Sequence, residues 1–299
     1  MRKISNKEEA EQFLNEIDIF LLDCDGVLWR GDEVIPDIID TLKLLRSRNK
    51  RIFFVTNNAS KSRKSYQKKF SSLGIDCDYH EILNSSFAAA WYLQDIGFKK
   101  RVYVIGQDGI TEELREVGIE SYGGSEDVNK PFDYATFAKN FKAPEDVGAV
   151  VIGIDDKFNN YKLATGTHLL RTDPNILFVA TNTDACLPYS GGFDFPGAGA
   201  FVTSLATASG RQPDMICGKP SQLLLNYVVN KFDLKDRSRV CMVGDRTDTD
   251  MLMGNQGNTH TLLVLTGVAK EKDLDTLTDK DQIPKTLIAS FGDLYSLTK

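Results

Sequence analysis

Short runs of consecutive apolar residues alternate along the chain with longer stretches whose apolar positions recur every three or four residues. Residues 18–22 (DIFLL) form the first run and stop against Asp23. Behind Pro36, residues 37–48 place Ile38, Leu42 and Leu45 on one helical face. Residues 51–55 (RIFFV) read as a second buried strand and 61–72 as a basic helix stopped near Gly74. A further helix begins at Ser85 or Ser86 and ends at Gly97. The alternation then restarts: strand 101–105, helix 109–117, strand 148–153, helix 161–172, strand 176–180 and, behind Pro196 and Gly197, an apolar helix over 199–208. A third block opens near Pro213, with strand 214–217, helix 221–231, strand 239–243, helix 249–254, strand 261–265, a short strand at 286–289 and a terminal helix. Repeated strand–helix units predict an α/β chain with parallel sheets and right-handed crossovers.

Composition narrows the classes. At 299 residues the chain suits about two domains, and 41% hydrophobic with 26% charged residues is the balance of a soluble globular protein. A net charge of −6 argues against a nucleic-acid binder, which carries a basic face. The five cysteines, at 24, 77, 186, 217 and 241, are odd in number and show no CxxC spacing. A disulfide framework or zinc site is therefore not expected, and a reducing compartment fits. The opening MRKISNKEEAEQF lacks an apolar signal core and is too acidic for a transit peptide. Runs such as 149–154 (AVVIGI) fall far short of the roughly 20 residues that span a bilayer. The expectation is a cytoplasmic protein without a membrane segment; a nuclear share is left open.

Candidate chemistry sits where apolar runs end. Asp23 and Asp25 close the first strand in LLDCDGV, and Gly26 lets the chain turn away. Thr56, Asn57 and Asn58 follow the second strand in FFVTNNAS, where a hydroxyl and backbone amides could hold a phosphate oxygen or, equally, cap a helix. Lys219 stands in CGKP after strand 214–217, able to neutralise a phosphate and a carboxylate together, with Pro220 expected to start the next helix. Asp245 and Asp250 lie in VCMVGDRTDTDM, a strand-end loop suited to a hard cation with oxygen ligands; Asp248 alone would suffice to cap the helix. Each segment has a plain structural alternative. Their shared placement does not: a parallel sheet gathers all four strand ends on one edge.

In this order, DCDGV, VTNN, GKP and GDRTDTD resemble the haloacid dehalogenase superfamily of phosphatases. DCDGVLWRGDEVIP, FVTNNASKSR, TNTDACLP, FPGAGAFV and LLVLTGVA are similar to its branch of p-nitrophenyl, phosphoglycolate and pyridoxal phosphatases, over nearly the whole chain. The resemblance implies a Rossmann-like doubly wound core, residues 1–98 and 213–299, with a large inserted α/β cap over 99–212 that often makes a homodimer contact. It implies Asp23 as nucleophile and Asp25 as acid–base, the two roles explaining why two carboxylates stand so close. Magnesium would be held by the Asp23 carboxylate, the Asp25 carbonyl and Asp245, with Asp250 orienting a bound water or Lys219. Thr56, Asn57, Asn58 and Lys219 would bind the phosphoryl oxygens of a small phosphorylated metabolite. Cys24, buried between the two acids, is expected to be inert. His80, His168 and His260 stand in no catalytic setting.

Three rival readings account for part of the pattern. A DxD glycosyltransferase leaves Thr56, Lys219 and GDRTDTD unexplained. A receiver-like signalling module has no use for Asp25 or a large cap. An inactive relative would not keep the full catalytic set. On the phosphatase scaffold, pyridoxal phosphate and phosphoprotein are the alternative substrates.

Substrate choice falls to the loop 182–197 (NTDACLPYSGGFDFPG), because core residues that touch only the phosphoryl group cannot separate leaving groups. Leu187 and Pro188 stand where, as the resemblance suggests, pyridoxal phosphatases place a His before the Pro. Leucine offers no hydrogen bond to a pyridine ring. We expect wild type to prefer 2-phosphoglycolate over pyridoxal phosphate in kcat/KM, and Leu187→His to move that ratio toward pyridoxal phosphate. A wild-type preference for pyridoxal phosphate, or an unmoved ratio, contradicts this.

Overall fold

The computed structural model describes residues 1–189 and 193–299; within the hairpin described below, the side chains of Pro188 and Tyr189 also lie outside the description. The chain divides into two compact units. One comprises Met1–Thr56, Gln67–Leu83 and Lys219–Lys299, the other Asn57–Tyr66 and Asn84–Gly218.

The first unit is built on a seven-stranded sheet in the order Arg2–Lys3, Thr286–Ile288, His260–Val264, Val240–Gly244, Ile19–Leu22, Arg51–Thr56, Ile82–Asn84. Every pairing from Arg2–Lys3 through Arg51–Thr56 is parallel. Ile19–Leu22 and Val240–Gly244 are buried at every position, the mark of parallel strands covered on both faces. Helix Ile38–Ser47 buries Ile38, Leu42 and Leu45, the stripe its spacing predicts. From Ile19–Leu22 the chain builds outward on one side. It later returns to Val240–Gly244 and builds outward on the other. Strand order therefore reverses between these two strands, with Val243 opposite Leu22. Open α/β sheets bind ligands in the crevice at such a reversal, outside the carboxyl ends of the strands. Asp23 and Asp245 are the residues that follow the two strands.

The second unit has its own parallel sheet, ordered Met215–Ile216, Leu177–Ala180, Val147–Ile152, Arg101–Ile105, Ser121–Gly123. Tyr103, Val150, Ile152, Phe178 and Leu205 lie at the centre of its core. Helices Asn160–Thr172 and Ala198–Ser209 supply Leu169, Leu170, Val202 and Leu205 to it. Among the described residues no helix is long and apolar enough to cross a membrane.

Several local expectations are corrected. The helix after Lys219 begins at Leu223, so Pro220 sits in the turn before it and not at its first position. Residues Thr247–Met251 close as a π-helical turn, the Met251 amide donating to the Arg246 carbonyl at 3.2 Å, before an α-helix over Leu252–Gln256. Asp248 does not cap that helix: it takes a two-pronged ion pair from Arg246, Nη2 to Oδ2 at 2.7 Å and Nε to Oδ1 at 3.0 Å. The loop 182–197 contains an antiparallel hairpin, Cys186–Tyr189 with Phe193–Pro196, in which Leu187 faces Phe195 in register; residues 190–192 lie outside the described residues.

The most deeply buried ion pair of the second unit among the described residues is Lys162–Asp155. Lys162 Nζ lies 2.7 Å from Asp155 Oδ2, the side chains 1% and 2% exposed. Removing one partner strands the other charge in the interior. Lys162→Met is therefore expected to lower unfolding free energy by about 3 kcal/mol or more in urea titration, and a loss under about 1 kcal/mol would contradict it.

Candidate active site

Four polar side chains of the first unit converge at the strand-order reversal. Asp23, Lys219, Asp245 and Asp250 are 7%, 4%, 3% and 0% exposed. Lys219 Nζ lies 2.8 Å from Asp23 Oδ1 and 2.7 Å from Asp250 Oδ1, and it donates to the Val55 carbonyl at 3.3 Å. The Cys24 amide donates to the same Asp23 oxygen at 2.8 Å. The π-helical turn keeps Asp250 under the strand end, where its Oδ2 accepts from the Arg246 amide at 3.1 Å. Thr56 ends the neighbouring strand, two residues beyond the Leu22–Phe54 pair, and is 2% exposed.

A loop that the sequence pattern did not single out mechanistically holds Asp245. The Val268 amide donates to Asp245 Oδ2 at 2.7 Å, and the Ala269 amide to the Asp245 carbonyl at 2.9 Å. The fit demands glycine on both sides. Gly26 has φ +82°, and a Cβ there would meet Asp245 Oδ2 at 2.5 Å; a Cβ on Gly267 would overlap the same carboxylate. Thr266 Oγ1 donates to the Gly26 carbonyl at 2.5 Å, tying the two loops together.

Asp25 is set apart. Its carboxylate is exposed, lies outside the cluster of buried acids, and accepts from the indole Nε1 of Trp29 at 2.8 Å. Cys24 is buried, and that burial, with Asp23 and Asp25 beside it, pushes its thiol well above the ordinary value, which makes it a poor nucleophile.

Asn57 and Asn58 belong to the second unit. The Asn57 side-chain Nδ2 donates to Asp184 Oδ1 at 3.0 Å and Oδ2 at 3.2 Å, and the Asn57 backbone carbonyl accepts from Asn182 Nδ2 at 2.7 Å and Ser85 Oγ at 2.5 Å. Asn58 Oδ1 accepts from the Ser60 amide at 2.9 Å, a local turn. Leu187 lies half-buried in the hairpin of the second unit; the Pro188 side chain is outside the description. The histidines pack structurally: His80 on Tyr79, His168 near Phe137 and Phe141, His260 against Phe13.

The electrostatics are unbalanced. One carboxylate oxygen each from Asp23, Asp245 and Asp250 lies within 4.8 Å of the others, all three residues buried. Burial pushes Asp23 well above the usual carboxylate range; Lys219 opposes the rise, and Asp250 and Asp245 add to it. Burial, then Asp250, pushes Asp245 up to about 6. Burial alone would lower the Lys219 ammonium, but Asp23 and Asp250 more than offset it and hold the lysine charged. Three buried carboxylates around one ammonium leave uncompensated negative charge. An all-oxygen donor set of that charge fits a hard divalent cation such as magnesium and does not suit a soft thiophilic metal.

The profile of the family described as haloacid dehalogenase-like hydrolase matches residues 20–120, and a HAD-hydrolase-like profile matches 216–294. The chain is 43% identical over 291 residues to phosphoglycolate phosphatase 1A, chloroplastic, of Arabidopsis thaliana, an alignment spanning 97% of this chain and 79% of that one. It is 37% identical over 277 residues to the 4-nitrophenylphosphatase of Schizosaccharomyces pombe, spanning 91% and 92%. Among solved structures, a 4-nitrophenylphosphatase from Thermotoga maritima superposes with TM-score 0.79 at 27% identity, covering 96% of this chain and 99% of that one. A glycerol phosphate phosphatase from Mycobacterium tuberculosis, in complex with magnesium, superposes with TM-score 0.78 at 28% identity, covering 94% and 77%; it has also been solved with calcium. The chain belongs to the haloacid dehalogenase-like hydrolases. Within them its named relatives are phosphatases, which makes it a phosphoric monoester hydrolase.

The charge imbalance generates a prediction. Without a divalent cation, Asp23 and Asp245 bind protons more tightly folded than unfolded. For Asp245 the resulting stabilisation is complete below the ordinary value of 3.8 and is lost as pH rises through about 6. Magnesium competes with those protons, so its stabilising shift in Tm should be larger at about pH 7.5 than at about pH 5. Asp245→Asn should shrink the shift at the higher pH. Equal shifts at both pH values in wild type would contradict the reading of the cluster.

Proposed function

We propose that the chain hydrolyses small phosphomonoesters with the help of magnesium, carrying the phosphoryl group transiently on Asp23. The observation that supports this best is the placement of the Asp23 carboxylate at the strand-order reversal, 2.8 Å from Lys219 Nζ and beside Asp245. Asp23 and Asp245, with the Asp25 carbonyl, would hold the ion, while both oxygens of Asp250 are engaged by Lys219 and the Arg246 amide. Bound there, magnesium neutralises charge between an anionic nucleophile and an anionic substrate.

The residues divide the work. Hydrogen bonds from the Cys24 amide and Lys219 fix the Asp23 carboxylate. A carboxylate oxygen of Asp23 forms a bond to phosphorus as the ester oxygen leaves, and Asp25 gives that oxygen its proton. Asp25, now ionised, takes a proton from water as the water oxygen bonds to phosphorus. The bond to Asp23 breaks, inorganic phosphate departs, and both acids return to their starting states. Lys219 and Thr56 hold the non-bridging oxygens, where charge is spread in the transition state.

These residues touch only the phosphoryl group, so leaving-group selection falls to other residues, Leu187 among them. Small phosphorylated acids such as 2-phosphoglycolate are the proposed substrates, with p-nitrophenyl phosphate as a permissive surrogate. The 43% identical relative named for phosphoglycolate supports the choice. Glycerol phosphate is the comparison substrate that the structural neighbour's name suggests.

Asp23→Asn should lower turnover on the order of 10⁴-fold or more, as enzymes do on losing a nucleophile, while the melting curve stays cooperative. Mass spectrometry of acid-quenched wild type should place phosphate on the peptide containing Asp23. Phosphate on another side chain, or substantial activity in the variant, would sink the assignment.

A further inference from the structure

The exposed carboxylate of Asp25 accepts a hydrogen bond from a wholly buried partner. Trp29, 0% exposed, donates its indole Nε1–H to Asp25 Oδ1 at 2.8 Å. The segment between them is closed on itself: the Gly26 amide donates to the Trp29 carbonyl at 2.8 Å and the Trp29 amide to the Cys24 carbonyl at 3.3 Å. Trp29 opens a short hairpin, Trp29–Arg30 with Glu33–Val34, and pairs there with Val34. Its ring meets Phe70 edge-on at 5.0 Å, and Lys69 Nζ sits 4.6 Å from its centroid. Lys69 also donates to the Gly31 carbonyl at 3.4 Å, at the tip of the same hairpin.

An exposed aspartate rotates readily about its side-chain bonds, and a proton donor that rotates is often misaligned with the atom it serves. A wholly buried ring, packed against Phe70 and with Lys69 over it, does not follow that rotation. A cation over an indole also draws electron density from it and strengthens the N–H as a donor. A buried indole needs an acceptor in any case. What is particular here is that the acceptor is the acid assigned to proton transfer, four residues away and on the solvent side.

We infer that Trp29 is a positioning residue: its N–H holds the Asp25 carboxylate in the orientation from which Asp25 protonates the leaving oxygen and later deprotonates water. The inference rests on the proposed role of Asp25. A purely structural Trp29 would affect all substrates alike. In kcat/KM, which reports phosphoryl transfer, a positioning Trp29 affects those whose leaving group needs a proton: an alkoxide must be protonated as it departs, whereas p-nitrophenolate leaves as a stable anion; the later deprotonation of water is common to all substrates and enters kcat alone.

The test measures kcat and KM of the full chain with magnesium for p-nitrophenyl phosphate and a set of alkyl phosphates, in wild type, Trp29→Phe, Asp25→Asn and the double variant. Trp29→Phe keeps an aromatic ring without the N–H. Because the site is buried, 3-benzothienylalanine introduced at position 29 provides a nearly isosteric ring that also lacks the donor. We expect either change to lower kcat/KM about tenfold or more for alkyl phosphates and under about threefold for p-nitrophenyl phosphate. The loss should lie in kcat more than in KM. In the Asp25→Asn background, Trp29→Phe should cause no further selective loss. Equal losses for both substrate types in the benzothienyl protein, or an added selective loss in the double variant, overturn the inference. If Asp25→Asn itself leaves the leaving-group dependence unchanged, the reading of Asp25 fails and the inference with it. If Asp25→Asn steepens that dependence and the Trp29 changes do not, only the inference fails.

Discussion

Three buried carboxylates, Asp23, Asp245 and Asp250, share the ammonium of Lys219, which touches two of them at 2.8 and 2.7 Å. Buried charge is costly, and a cluster that lacks a full complement of counter-charge is a poor device for stability. The proposed function gives the cluster a use, holding first a cation and then an anionic substrate. The remaining arrangement follows. Asp23 and Asp245 sit this close because they follow adjacent parallel strands, Ile19–Leu22 and Val240–Gly244, where the strand order reverses. Lys219 must arrive from a separate segment to stand between them.

Backbone close to the acids limits their movement. Gly26 and Gly267 leave no room beyond that taken by Asp245, and the Val268 amide fixes one of its oxygens. The π-helical turn Thr247–Met251 brings Asp250 back beneath the strand end, while Arg246 takes Asp248 away from it. The three acids of GDRTDTD thus have different fates: Asp245 joins the cluster from the strand end, Asp250 pairs with the lysine, and Asp248 serves the surface. Asp25 is the contrast, an exposed carboxylate steadied by one buried indole.

Much of this was legible in the chain because strand ends announce themselves. Apolar runs stopping at Asp23, Thr56 and Asp245 marked the edge, and helical spacing marked Ile38–Ser47. What escaped has physical reasons. The edge strand Arg2–Lys3 is two polar residues whose pairing is decided by Thr286–Ile288. Helix Lys7–Glu16 buries only Ala10, Phe13 and Leu14 amid charged positions, too thin an apolar stripe to stand out, although Asn6 caps it. The π-helical turn depends on one shifted hydrogen bond, which no spacing reveals. Nothing in the spacing showed that the Asn57 side-chain Nδ2 would be taken by Asp184, 127 positions away. The Trp29–Asp25 bond was visible only as two residues of one motif; that they touch is a property of the folded loop.

The most direct test of the central claim is a crystal structure of the chain with magnesium and beryllium fluoride, a mimic of a phosphorylated carboxylate. The prediction is a beryllium bonded to Asp23, a magnesium ion ligated by Asp23 and Asp245, and Lys219 on a fluoride. A beryllium on another side chain, or a magnesium ion bound away from Asp23 and Asp245, would contradict it.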